Sequence, residues 1–157
     1  MAVLKAIQNP FSVLVGEHMS AGGIWADVAI PPNCSALTAL LLAKGGDRVQ
    51  FYPQEFTDEF CSIAIEKMSF QNFDKIEGLP VIGSNNCHSN TARFVLANQH
   101  NDKIQACTGW AFSDEVWRRH SWVLDISTDT IRDDIGRDIY FGSFLTTKAC
   151  LDIVNEA

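Results

Sequence analysis

The sequence predicts a single α+β domain, residues 1–157, in which helices pack on an antiparallel sheet. An apolar content of 46%, including ten phenylalanines, is enough for one substantial core in a chain of this length. Helical patterns prevail before residue 100, and strand patterns joined by short turns follow them. This order is typical of the α+β class, because consecutive strands usually pair as antiparallel neighbours.

Three helices are expected before residue 100 and a fourth at the end of the chain. Each follows a residue type that caps helices, or shows apolar residues at helical spacing. The predicted helices are 36–44 after Asn33, 54–68, 87–99 after Asn85 or Asn86, and a last one from 146 or 147 to about 156.

Strand patterns are concentrated in the second half of the chain. Two long strands flank the turn Ser113-Asp114-Glu115, and this arrangement predicts a hairpin. The predicted strands are one or two irregular strands within 1–16, then 49–52, 104–112, 116–125, 130–132 and 140–145.

The charge balance restricts the classes of partner. Twelve basic against nineteen acidic residues give a net charge of −7, which repels phosphate backbones and anionic lipid. We therefore expect neither nucleic acid nor a membrane surface as partner, and no stretch approaches the roughly 18 apolar residues of a spanning helix. Residues 1–16 lack the basic start and unbroken apolar run of a signal peptide, so a cytoplasmic protein, or one exported without such a peptide, is expected.

Five cysteines are spread along the chain without a Cys-x-x-Cys pair. An odd, dispersed set favours reduced thiols over a disulfide framework or a four-cysteine zinc site. No cofactor and no metal are expected. The cysteines are at positions 34, 61, 87, 107 and 150.

Two short segments offer the groups that a thiol enzyme needs. Cys87 lies where a helix is expected to begin, and His120 lies within a predicted strand. A helix N-terminus and a nearby imidazole are environments that favour the thiolate form of a cysteine. His120 is therefore predicted as the base, and the Cys87 amide with an Asn85 or Asn86 side chain as donors to an oxyanion.

A third group usually fixes the orientation of the imidazole. Asp133 is the predicted third group, with Asp134 and Asp125 as rivals. Alternation along the strand puts Arg118, His120 and Trp122 on one face. The remaining predicted contacts on the substrate side are Trp110 or Trp122 as a cover, Arg118 for an anionic group, and His88 beside the substrate or the helix cap.

Residues 80–145 contain four motifs: Cys87-His88-Ser89-Asn90, Gly109-Trp110, Trp117-Arg118-Arg119-His120-Ser121-Trp122 and Tyr140-Phe141-Gly142. These motifs resemble a set of poorly characterised bacterial proteins. The order of a helix cysteine, a strand histidine and a polar residue on the next strand is similar to that of the papain-like superfamily, including cell-wall peptidases of the NlpC/P60 type. The resemblance implies a papain-like core with Cys87 as nucleophile at a helix N-terminus and His120 as base. Where that pattern has a carboxylate followed by threonines, this chain has Arg132-Asp133-Asp134.

The leading hypothesis is a thiol hydrolase or acyltransferase acting on an amide or peptide bond, in a peptide or protein substrate. Water as acceptor gives peptidase, amidase or deamidase activity, and an amine gives transglutaminase-like transfer. One alternative is a non-catalytic binding or inhibitor module on the same scaffold. Two less favoured alternatives are Cys34 as the reactive thiol and a zinc site built from Cys87, His88, Cys107 and His120.

Overall fold

The computed structural model describes residues 11–14, 30–80 and 86–156. Within these ranges the chain forms four α-helices, a short 3₁₀ helix at Pro53–Glu55 and eight strands. The helices are α1 (Pro32–Leu42), α2 (Asp58–Lys67), α3 (Cys87–Ala97) and α4 (Thr147–Glu156). The strands are β1 (Phe11–Leu14), β2 (Arg48–Phe51), β3 (Ser69–Phe70), β4 (Lys75–Gly78), β5 (Ile104–Ser113), β6 (Val116–Asp125), β7 (Thr130–Asp133) and β8 (Ile139–Phe144).

All eight strands belong to one sheet, centred on the β5–β6 hairpin. β5 continues through β8 to β3 on one side. On the other side β6 has two partners: β2, followed by β1, near its start, and β7, followed by β4, near its end. The predicted hairpin is present, and its tight turn places Asp114 and Glu115 at φ angles of 51° and 66°.

The helices share one face of the sheet. Trp110 and Ala106, two residues of β5 separated by an even spacing, point to the same face. Trp110 packs in one cluster with Leu37 of α1 and Ala64 of α2. Ala106 packs in another with α3 and α4. The fold is thus a single-domain α+β layering, as predicted.

The opposite face carries a smaller apolar cluster around Trp122 and Tyr140. Of its partly buried neighbours, Phe73 comes from the segment before β4 and Ile76 from β4 itself. Here β5 and β8 approach so closely that a Cβ on Gly109 would lie 2.0 Å from the Phe141 carbonyl oxygen. Glycine at 109 is therefore required by the packing of the two strands.

The expected purely antiparallel sheet is wrong in two places. β2 pairs in parallel with β6, and β4 pairs in parallel with β7. In each pair the chain passes through at least one helix between the first strand and its partner. The two strands are therefore joined by a long connection, which parallel strands require, and not by a hairpin. β3 and β4 themselves have no counterpart among the predicted strands.

Two helix starts also differ from the predictions. α1 begins at Pro32 and not at residue 36, since proline fits the first helical position, where its missing N–H costs nothing. The helix expected from residue 54 is divided, because Thr57 adopts an extended conformation and its side chain caps α2 by accepting from the Phe60 amide. The predicted strand within 1–16 is present as Phe11–Leu14, and its other residues lie outside the described part of the chain.

None of the helices in the described ranges combines the length and the apolar character that a membrane-spanning helix needs.

Candidate functional site

Asn86 determines where α3 begins. Its backbone is extended, and its side-chain oxygen accepts from the amides of His88 at 2.8 Å and Ser89 at 3.3 Å. This is an N-cap, and it makes Cys87 the first helical residue. The cap contacts do not use the Cys87 amide. Cys87 is partly exposed, whereas the other four cysteines are buried.

His120 lies in the middle of β6 and Asp133 at the end of β7. The ring Nε2 of His120 donates to Oδ1 of Asp133 at 2.7 Å, and both side chains are almost completely buried. Cys87 lies close enough to the same imidazole to raise its pKa. Because Nε2 is engaged by Asp133, Nδ1 is the ring nitrogen left for the thiol.

The surroundings of His120 favour its charged form. Burial alone would lower its pKa, but the hydrogen bond to Asp133 and the interactions with Cys87 and Asp133 raise the pKa of His120 to about 9. The imidazolium therefore persists at neutral pH. A positive ring next to a sulfur is the arrangement that stabilises a thiolate.

Asp133 is held from several directions. Its Oδ1 also accepts from the Asp134 amide at 2.8 Å, and its Oδ2 accepts from the Tyr140 hydroxyl at 2.7 Å. The Arg137 guanidinium lies 3.5 Å from Oδ2. Because these contacts leave little freedom to rotate, the carboxylate fixes the plane and tautomer of His120.

The two rival carboxylates have other partners. Asp134 is exposed and binds Arg137 and the Ile135 amide, and Asp125 accepts from Ser127. Of the three candidates, Asp133 is the one that contacts His120.

His120 lies where the sheet divides. β2 pairs with β6 at Val116 and Trp117, and β7 pairs with it from Val123 onward. Among the described residues, no strand pairs with 118–122 along this edge. The division gives Cys87 at the N-terminus of α3 access to a side chain on an otherwise central strand.

A chain of buried polar groups runs behind the site. Ser121 Oγ donates to Thr108 Oγ1 at 3.0 Å, and Thr108 Oγ1 donates to the His120 carbonyl at 3.3 Å. Since the Ser121 proton is used, its oxygen accepts from His88 Nδ1 at 2.5 Å. His88 Nε2 then accepts from the Tyr52 hydroxyl at 2.7 Å. The donors thus all point in one direction, from Tyr52 to the backbone of His120.

The ring of His88 is neutral, which agrees with its role as acceptor from Tyr52. Burial, and then the positive charges of Arg119 and His120, hold its pKa well below 6.5. With both ring nitrogens engaged by protein groups, the ring has no nitrogen left for a substrate. The predicted role of His88 beside the substrate or at the helix cap stays a prediction; its backbone amide is one of the two that Asn86 caps.

Replacing His88 with glutamine should remove a pH dependence of stability. Below about pH 6.5 the unfolded chain binds a proton at His88 that the folded chain does not bind. The free energy of unfolding should therefore fall there with decreasing pH, by up to about 1.4 kcal/mol per pH unit from this group. Urea unfolding of wild type and His88→Gln between about pH 5 and 7 should show the stability difference narrowing as pH falls. Exposed His100→Gln should leave wild-type behaviour unchanged, and parallel wild-type and His88→Gln curves would contradict the assignment.

A buried ion pair that was not predicted from the sequence involves Arg119, the neighbour of His120 in β6. Arg119 Nε lies 2.8 Å from Glu55 Oε1, and its terminal nitrogen lies 3.1 Å from Oε2. Another guanidinium nitrogen donates to the Gly109 carbonyl at 2.7 Å. Glu55 lies in the 3₁₀ helix, and no sequence signal distinguishes it from the exposed acidic residues beside it. Tyr52 and Tyr140 were missed for the same reason, since their partners are distant in the chain.

The other predicted site residues that the structure describes are bound to protein groups. Trp122 is buried, stacks on His120 with ring centroids 6.0 Å apart and donates to Gln71. Trp110 is buried on the helix-covered face and donates to the Gln50 carbonyl, so neither indole forms an exposed cover. Arg118 donates to the Ser113 carbonyl at 3.0 Å. Asn85 lies outside the described residues.

Potential metal ligands meet at one place in the described part of the chain. Ligand atoms of His120, Asp133 and Asp134 lie within 4.8 Å of one another. Asp133 and His120 already bind each other there. The four residues of the zinc alternative are not brought together: Cys107 accepts from Gln71 in the apolar cluster around Trp122, and His88 is fully engaged.

Fold and site together define an α+β protein with a partly exposed thiol, a charged imidazole and a fixed carboxylate in contact. Comparison of the chain with protein-family models, with curated proteins and with solved structures finds no match.

Proposed function

We propose that this protein is a thiol-dependent hydrolase or acyltransferase that acts on an amide or peptide bond, with Cys87 as nucleophile, His120 as acid and base, and Asp133 as the group that positions His120. The observation that carries the proposal is the contact of one imidazole with both the Cys87 side chain and the buried Asp133 carboxylate. The order of helix cysteine, strand histidine and next-strand carboxylate also supports a papain-like core.

The charges suit the first chemical step. The imidazolium of His120 faces the sulfur, so the thiolate can attack a carbonyl carbon without a prior proton transfer. The developing oxyanion faces the Cys87 amide and the positive end of α3. His120 then protonates the leaving amine, and the acyl group stays on Cys87 as a thioester.

The second step needs an acceptor. Neutral His120 takes a proton from water, which hydrolyses the thioester, or from an amine, which gives a new amide. The imidazolium and the thiolate are then restored. The substrate is an amide or peptide group, and the acceptor decides between hydrolysis and transfer.

The first test is the alkylation of each cysteine by iodoacetamide as a function of pH, read by mass spectrometry. We expect Cys87 to react fastest, and to react well below the ordinary thiol pKa of about 8.5. Burial raises the pKa of Cys107 to about 12 and also raises the pKa of Cys150, so these thiols should stay unmodified. His120→Ala should slow the labelling of Cys87 at neutral pH at least about tenfold.

A second measurement follows the acyl group itself. With p-nitrophenyl acetate we expect an acetyl thioester on Cys87 that decays in water and passes to added glycinamide if the enzyme is a transferase. His120→Ala should fail to form or resolve it, and Cys107→Ser should behave as wild type. A Cys87 that is slow to alkylate and indifferent to His120 would overturn the proposal and favour the non-catalytic binding module.

A further inference from the structure

Two buried cysteines that the candidate site does not use lie against each other. The Sγ atoms of Cys34, in α1, and Cys61, in α2, are 2.8 Å apart, against about 2.05 Å in a disulfide. Both residues are completely buried. Their separation of 27 residues in sequence makes this a contact between two elements and not a local turn.

The beginnings of the two helices are held together around the pair. The Asn33 amide donates to Asp58 Oδ1 at 2.9 Å, and the Cys34 thiol contacts the Thr57 carbonyl at 3.2 Å. α1 and α2 also share the apolar cluster that contains both cysteines. The sulfur atoms can therefore approach to bonding distance without separating the helices.

We propose that Cys34 and Cys61 form a reversible disulfide, a covalent modification site that links α1 to α2. The oxidant is a small disulfide of the glutathione type. This inference does not depend on the proposed function, since neither thiol contacts the Cys87 site.

The exchange requires two steps. The Cys34 thiol loses its proton, and the resulting thiolate attacks one sulfur of glutathione disulfide. A glutathione thiolate leaves and takes up a proton. The Cys61 sulfur loses its proton, attacks the Cys34 sulfur and releases the second glutathione. Two protein thiols are oxidised to one disulfide, and one glutathione disulfide is reduced to two thiols.

The asymmetry of the pair favours Cys34 as the first thiol to react. The hydrogen bond donated by Cys61 lowers the pKa of Cys34 against the opposing effects of burial and Asp58. The same hydrogen bond, together with burial, raises the pKa of Cys61. Because both thiols are buried, the first step needs a local opening, so the reaction should be followed to equilibrium.

The test uses the reduced wild-type chain, equilibrated in buffers of increasing glutathione disulfide. Free thiols are then blocked with N-ethylmaleimide in denaturant, and the chain is digested without reduction for mass spectrometry. We expect a peptide pair linked through Cys34 and Cys61 that separates on reduction. The thermal unfolding midpoint should rise by about 5–10 °C on oxidation, because the link restricts the unfolded chain.

Serine variants define the assignment. Cys34→Ser and Cys61→Ser should each lose the oxidation-dependent rise, and Cys107→Ser, at another buried cysteine, should keep it. The proposal fails if Cys34 and Cys61 both carry N-ethylmaleimide under conditions that oxidise Cys87, or if Cys34 stops as a mixed disulfide with glutathione. Since the mapping is done on wild type, a serine variant that does not fold leaves the test intact.

Discussion

Asp133→Asn should slow the reaction of Cys87 with p-nitrophenyl acetate by about 10² to 10⁴, the range that a positioned acid–base group contributes. The amide keeps the shape of the side chain but removes the negative charge 2.7 Å from His120 Nε2. Burial, which lowers the pKa of His120, is then opposed only from the Cys87 side. The pKa of His120 should therefore fall from about 9, so that a smaller fraction of the ring is charged at neutral pH.

Nuclear magnetic resonance of the histidine ring measures this change directly. In wild type the ring of His120 should stay charged until the pH approaches about 9, and in Asp133→Asn it should lose its proton at a lower pH. Asp134→Asn is the matched control, because it is the same substitution at the adjacent, exposed residue. A larger loss of rate in Asp134→Asn than in Asp133→Asn would show that Asp134, and not Asp133, positions His120.

Glu55→Gln should destabilise the protein by about 3–5 kcal/mol, the usual result of removing one partner of a buried ion pair. The Arg119 side chain is only 4% exposed, so its charge would lose the carboxylate that compensates it. A loss of this size is a large part of the total stability of a domain, about 5–15 kcal/mol. Urea unfolding at about pH 7 measures it.

The exposed Glu59, in α2, offers the matched control. Glu59→Gln should change the free energy of unfolding by less than about 0.5 kcal/mol. In the double variant Glu55→Gln, Arg119→Met, which removes the buried charge together with its partner, much of the lost stability should return. If Glu55→Gln alone stays within about 1 kcal/mol of wild type, the ion pair has no structural importance.

Local patterns in the sequence were sufficient for the long elements and insufficient for the sheet order. Strands β5 and β6 are ten residues long each and flank a short polar turn, and Asn86 caps α3, so their positions follow from neighbouring residues. β3 has two residues and β4 four, and neither shows an alternation that would distinguish a strand from a loop. Their pairing with β8 and β7 depends on packing between distant segments.

The candidate site divides in the same way. Cys87 and His120 were predicted from their motifs, and Asp133 from its place after the next strand, with Asp134 and Asp125 as rivals. His120 hydrogen-bonds to Asp133 and interacts with Cys87, and the catalytic roles stay predictions. The position of His88 could not be inferred, because its partners Tyr52 and Ser121 are 36 and 33 residues away. Helical geometry predicted the direction of the His88 side chain relative to that of Cys87, but not the residues that it contacts.

The proposed catalytic residues and the residues that hold their neighbours in place come from different parts of the sequence. The three side chains proposed to react fall within 87–133, whereas Tyr52 and Glu55, which bind His88 and Arg119, come from an earlier part of the sequence. A graft of the later segment onto another protein would carry the thiol, the imidazole and the carboxylate, together with a guanidinium lacking its counter-ion. The site therefore cannot be transferred as one contiguous segment, and an engineered transfer has to include residues 52–55 as well.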